Sequence, residues 1–478
     1  MSRSPVRALA LTVLVATALS ACGLKPEVKA QLSQGNLGGG VGTTDGGTIG
    51  SDTGSTSGTG TTGSSSSGTG TTGSSGTTGT SGGSGTSGSG STSGSTTGTS
   101  GSGTTGIAPE PGQGTTTGID FKNKVVRIAL HGPLTGAGVP QDSFKSGTPK
   151  YWAKHKLANG FRVEAVAIDD KYNAADAARA CNAAADNYFL IVGGAGTDQI
   201  SACAQSPKLR RLKVPYMSSG VTEVGLTNID TYHATSLSYR QQAPLVIKLA
   251  KDRGEFTGKK WAVVITSTPN FKDAREAFVA ELQKNGAKGK SGAFNPSSDV
   301  YLTDKAPSNC SSLAPQIRAG GYQSIYFLGQ PSFFAQCVGS IGTTPVNPYY
   351  TGPGPSFGLT SVIALACTGS ANQYKGVFLH PAPSVKEYAP RTAPGETFKD
   401  DIELSIWGAM EQLKHAFDRV QGPLSRESFN ASLAGAQLPG NVLPAVDYRQ
   451  GRFGGTAAYA NAADCANRVS KTIGVYAK

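Results

Sequence analysis

The residues able to do chemistry are few and scattered. His131 stands in a loop rich in Gly, Pro and Thr, His131–Gly136, where an imidazole could exchange protons. Asp169 and Asp170 are adjacent, and a pair of carboxylates could divide general acid and general base work. Neighbours at a strand end point to opposite faces, however, which suits a capping or structural role better. The folded part carries no G-x-S-x-G elbow, H-E-x-x-H or phosphate-binding loop, so neither an enzyme nor a cofactor is expected. Seven cysteines are present. Cys22 stands apart near the N-terminus; the others are Cys181, Cys203, Cys310, Cys337, Cys367 and Cys465. With no C-x-x-C and the five histidines far apart, disulfides are expected rather than a metal site. Six cysteines allow about 15 pairings and sequence does not choose among them. The expected set is 181–203, 310–337 and 367–465; in the first two, each cysteine would lie on one of two helices flanking a strand.

What the remaining residues can do is bind. Six loops share a composition of Gly, Ser, Thr and Pro. They are His131–Gly136, Gly193–Thr197, Ser218–Thr222, Thr266–Phe271, Gly329–Ser332 and Gly352–Ser356. Glycine lets backbone approach a ligand, hydroxyls supply adjustable hydrogen bonds, and helix N-termini offer free N–H donors. Any one of these loops could be a good turn or N-cap and nothing more. Six together indicate a polar, mostly uncharged cleft.

The elements around these loops alternate. Val125–Leu130, Val163–Ile168, Phe189–Val192, Val214–Met217, Trp261–Ile265, Ser324–Leu328 and Gly376–Leu379 are short apolar runs, with a further strand near Tyr350. Helical stretches are expected after the first strand to about Ala158, over Ala174–Asn187, around 198–211, over 271–285, after 332 and over about 401–420. In the last, Ile402, Ile406, Met410, Leu413 and Phe417 recur on one face. Leu443–Lys478 reads as short strands with loops. Strands alternating with helices imply parallel sheets, α/β in class, and the length from 118 to 478 implies two lobes. In open parallel sheets, ligands bind beyond the carboxyl ends of the strands, where these loops lie.

Residues 1–21 read as a secretory signal: Arg3 and Arg7, then an uncharged apolar run Ala8–Leu19, then small residues. Leu19-Ser20-Ala21-Cys22 resembles the lipobox of bacterial lipoproteins, which implies acylation of Cys22 and an extracytoplasmic domain held to the membrane by that lipid alone. From about Gln34 to Thr117 the chain is nearly all Gly, Ser and Thr, a composition that buries no core; residues 22–117 are expected to form a disordered tether spanning roughly 50 Å. The net charge of +12 is scattered, without an aromatic-interleaved basic stripe, so no nucleic-acid partner is expected.

Ile128–Gly136, Ile168–Asn173, Ile191–Gly194 and Val214–Gly220, in that order, resemble the opening loops of type I periplasmic binding proteins, nearest to the leucine and branched-chain amino-acid receptors of ABC transporters. The resemblance covers about 120–478. It implies two α/β lobes joined by crossovers around a hinged cleft: lobe 1 about 118–238 and 380–438, lobe 2 about 239–379 and 439–478. It also implies a small ligand and ABC permease partners, with a ligand sensor or a wall-associated scaffold as the alternative. Implied ligand contacts are Thr135, Gln141, Gly196, Thr197, Ser218, Ser219, Ser238, Tyr239, Phe271 and Gln330. Amino-acid receptors commonly hold the ligand ammonium with a carboxylate after the strand that here ends in Gly352–Ser356. That loop has none, so a free amino acid is not expected; a neutral or anionic polar molecule is.

Overall fold

The computed structural model describes residues 114–478 apart from 138–141, 195, 220, 304–309, 343–346, 353–356, 369–373, 389–390 and 393. Cys22, Gln141, the signal segment and nearly all of the tether lie outside the described residues.

Two sheets organise the rest. The first is built on β2 (Val125–Gly132), which pairs in parallel with β3 (Arg162–Asp169) on one side and β4 (Leu190–Gly193) on the other. β5 (Tyr216–Ser218) and β6 (Tyr232–Ala234) continue in parallel, and β1 (Ile119–Asp120) runs antiparallel to the start of β2. The second sheet has the order β8 (Val300–Thr303), β7 (Trp261–Thr266), β9 (Ser324–Leu328), β10 (Tyr349–Thr351), β11 (Gly376–His380), β12 (Ala457–Asp464), β13 (Val469–Ala477). Its first five strands are parallel and its last two antiparallel. Strands covered on both faces read as unbroken apolar runs, which is why WAVVI and SIYFL were legible.

Helices cover both sheets: α1 (Asp142–Lys150), α2 (Ala174–Ala184), α3 (Thr197–Ala204), α4 (Tyr239–Asp252), α5 (Lys272–Lys284), α6 (Leu313–Gly320), α7 (Pro331–Ile341), α8 (Leu359–Ala366), α9 (Asp401–Asp418) and α10 (Arg426–Leu433). The apolar stripe of α9 packs under the first sheet with Val126, Ile128, Leu130 and Val192. The chain thus returns to the first sheet after β11 and finishes in the second with β12 and β13.

Three elements differ from expectation, each for a physical reason. The helix after β2 ends at Lys150; the turns that follow seat Tyr151 and Trp152 in the core, where Tyr151 meets Trp407 edge-on at 5.1 Å. The helix expected around 198–211 is two, because Ser206 caps a new start and Pro207 has no N–H to continue the old one. The C-terminal region is a long hairpin, not short strands.

Three disulfides fasten these layers: Cys181–Cys203 joins α2 to α3, Cys310–Cys337 reaches α7, and Cys367–Cys465 ties the end of α8 to the residue after β12.

Candidate ligand cleft

The carboxyl ends of the two sheets meet at one cleft of about 110 Å³. From the first sheet come Gly193, Gly194, Gly196, Thr197, Asp198 and Gln199 after β4, Ser219 and Val221 after β5, and Tyr172 after β3. From the second come Thr266, Thr268 and Phe271 after β7, Gly329 and Gln330 after β9, and Phe357. Tyr239 closes the set.

Local sequence explains the placement. Asp169 accepts from the Thr135 hydroxyl at 2.6 Å and from the backbone N–H of Leu134, Thr135 and Lys171. Burial works against that charge, but the donors outweigh it and hold the carboxyl below its usual range. Asp170 accepts from the N–H of Tyr172 at 2.9 Å. Together they impose left-handed backbone on Lys171 and Tyr172, φ 51° and 53°, which swings the Tyr172 ring into the cleft. Gly196 precedes α3 at φ 72°, and the folded-back Gln199 amide occupies the place a Cβ would need. Among the described residues no side chain caps α3, and its first residues, Thr197, Asp198 and Gln199, line the cleft. α7 likewise starts at Gln330 and Pro331 without a side-chain cap.

Across the cleft, Asn270 Nδ2 donates to Asp198 at 2.5 Å, and the Tyr239 hydroxyl bonds Thr197 at 3.1 Å. Burial pushes the Tyr239 phenol up to about 12, so it remains a neutral donor and acceptor. The Tyr239 and Phe271 rings lie 5.6 Å apart. The Thr268 hydroxyl is enclosed and has no partner among the described residues. Asp198 is the one formal charge among the described residues lining the cleft.

Six of the expected contacts therefore share this cleft: Gly196, Thr197, Ser219, Tyr239, Phe271 and Gln330. Thr135 is committed to Asp169 instead. Ser218 is buried against the Tyr232 hydroxyl at 3.0 Å. Ser238 caps α4, and its hydroxyl donates to Glu223 at 2.6 Å. Sequence reading missed Tyr172, Asp198, Thr268 and Phe357. Asp198 belongs with a loop that was singled out, Gly193–Thr197, which it directly follows, and it puts a carboxylate at the cleft. Tyr172 was visible in its motif, but nothing marked the backbone turn that aims it.

His131 is not the lone group its loop suggested. It is wholly buried, with Nδ1 2.8 Å from Asp170 and Nε2 2.5 Å from the Tyr216 hydroxyl. The same hydroxyl lies 2.5 Å from where a Cβ on Gly193 would fall, so the trio props the cleft floor from behind. Near it lie Cys181 and Cys203, whose sulfurs are already bonded to each other and offer no metal ligand.

Two lobes, each a sheet flanked by helices and contributing strand-end loops to a shared ligand cleft, define the type I solute-binding fold. A profile of the periplasmic binding protein family matches residues 125–463, and the chain belongs to that family. The structure superposes on a fatty acid ABC transporter substrate-binding protein from Thermomonospora curvata with a TM-score of 0.60 at 14% identity, covering 77% of this chain and 96% of that one. A leucine-binding protein from Thermotoga maritima gives 0.57 at 17% identity, covering 74% and 99%. A solute-binding protein of an ABC transporter from R. palustris, in complex with 4-hydroxybenzoate, gives 0.57 at 15% identity, covering 74% and 97%. No curated protein matches the chain in sequence. No described helix is long and apolar enough to cross a membrane.

Proposed function

We propose that this protein is an extracytoplasmic solute-binding lipoprotein, held to the membrane through Cys22, that captures a small polar molecule between its lobes and delivers it to the permease subunits of an ABC transporter. The observation that carries the reading is the cleft itself: both sheets line it, and Asp198 and Asn270 bond across it. Uncapped N–H groups of α3 and α7 suit a carboxylate or carbonyl oxygen. Phe271, Phe357, Tyr172 and Tyr239 suit a flat or apolar body. Asp198 favours a second reading of the ligand, one that also carries an ammonium or hydroxyl donor, and this readmits free amino acids.

A thermal-shift screen of the full chain against amino acids, amides, short carboxylates, hydroxybenzoates and sugars tests capture. A ligand at a hundred times its Kd adds about 2.7 kcal/mol of stability. One responding class would name the solute; no shift across the panel would overturn capture. Labelling cells with an alkyne fatty acid tests the anchor: Cys22→Ala should abolish the label, and a label that survives would refute acylation at Cys22.

A further inference from the structure

A second chamber of about 30 Å³ adjoins the cleft, between the carboxyl end of the first sheet and α9. Its walls are Leu130, Val192 and Met217 from β2, β4 and β5, and Ile402, Ile406 and Leu413 from α9. Gly193, Gly194 and Ser219 belong to both spaces. Neither glycine has room for a side chain where the two spaces meet: a Cβ on Gly193 would strike the Tyr216 hydroxyl, and one on Gly194 the His131 carbonyl oxygen. The cleft is lined by hydroxyls, amides, a carboxylate and aromatic rings; the second space is lined mainly by aliphatic side chains, with Ser218, Thr235 and Ser405 among them, and the two meet at Gly193, Gly194 and Ser219.

We infer that the chamber is an apolar annex of the ligand site, taking the aliphatic end of an amphipathic solute whose polar end stays in the cleft. This rests on the capture reading. A space of about 30 Å³ has room for only a few carbons. Its occupant is therefore a short alkyl group rather than a long chain. Each buried methylene is worth about 0.8 kcal/mol, or about fourfold in affinity, until the annex is full. Ala409 lies on α9 at the annex and not in the cleft, so Ala409→Leu fills the annex and leaves the polar contacts in place.

The test is titration of the full-length protein and of A409L with three homologous series: n-alkanoates, n-alkanamides and linear 2-amino acids from alanine to norleucine. In one series affinity should rise about fourfold per carbon over a few carbons and then level. The rise should vanish in A409L while the shortest homologue binds both proteins alike. Affinity independent of length, or a rise that survives in A409L, would overturn the annex and leave capture standing. If no member binds either protein, capture of these classes falls and the annex with it. Should A409L melt early without ligand, A409V repeats the test with less added bulk.

Discussion

Arg426 is wholly buried yet has no carboxylate in contact among the described residues. Its guanidinium donates instead to the carbonyl oxygens of Ala185, Tyr188, Phe189 and Leu212, gathering the end of α2, the start of β4 and the turn after residue 211. Burial is the main reason its pKa falls to about 10. Arg426→Met would leave four carbonyls without that donor, and urea unfolding should show a loss of about 3 kcal/mol or more. Lysine, lacking the planar fork, should restore only part of it. Asp400 makes the opposite case. Burial first, and the neighbouring Asp401 second, push its carboxyl up to about 6. The folded state then binds the proton more tightly than the unfolded chain. The stabilisation is complete below pH 4 and is lost as pH rises through 6. Asp400→Asn keeps the cap on α9 and removes the charge, so it should stabilise at pH 7 by about 2 kcal/mol, with the gain fading towards pH 4. Melting temperatures across that range check both signs. Neither residue was marked in the sequence, because burial that depends on partners more than two hundred positions away leaves no local pattern.

Among elements, the instructive pair is α9 and α8. α9 packs under the first sheet and α8 in the core of the second. Asp401, at the start of α9, accepts from the N–H of Leu359 at 2.8 Å and of Thr360 at 2.9 Å, so one lobe caps a helix of the other. Asp273 of α5 reaches the opposite way, accepting from the Thr222 hydroxyl and from the N–H of Glu223 in the loop after β5. Asp401→Ala should cost about 1 kcal/mol as a lost cap and speed ligand release, whereas Asp401→Asn should be milder. Stopped-flow dissociation compares them; equal rates in all three proteins would show that the contact does not govern closure. The α9 stripe and the central strands were legible because their periodicity is also their burial. β12 was not: its AAYANAAD sequence has no β-branched residue, and its strand state is imposed by pairing on both edges. α4 did carry a signal, the Ser238–Gln241 capping box.

At the scale of the whole molecule, the three disulfides hold regions of different reach. Cys367–Cys465 spans a sequence separation of 98, against 22 for Cys181–Cys203. In the chain-entropy picture these amount to about 4.7 and 3.4 kcal/mol. Serine pairs at 367/465 should therefore lower the unfolding free energy more than pairs at 181/203. The six cysteines beyond Cys22 announced disulfides and helix placement suggested the first two pairs; 367–465 was expected without such a reason, and it is the fold that brings residue 465 beside residue 367.

The N-terminal end of the described residues is held at a definite spot. Thr115 donates to both carboxylate oxygens of Glu427, its carbonyl accepts from the Arg426 N–H at 2.9 Å, and Gly118 sits against Phe189, just ahead of β4. That is the amino end of the first sheet, and the cleft lies at the carboxyl end, about 25 Å away along an eight-residue strand. A mechanical load applied through residue 114 would enter at Glu427 and the two-residue β1, peeling those before any force reached the jaws. Residue 114 and the mouth stand at opposite ends of the first sheet, so a pull at that residue bears on the end away from the jaws.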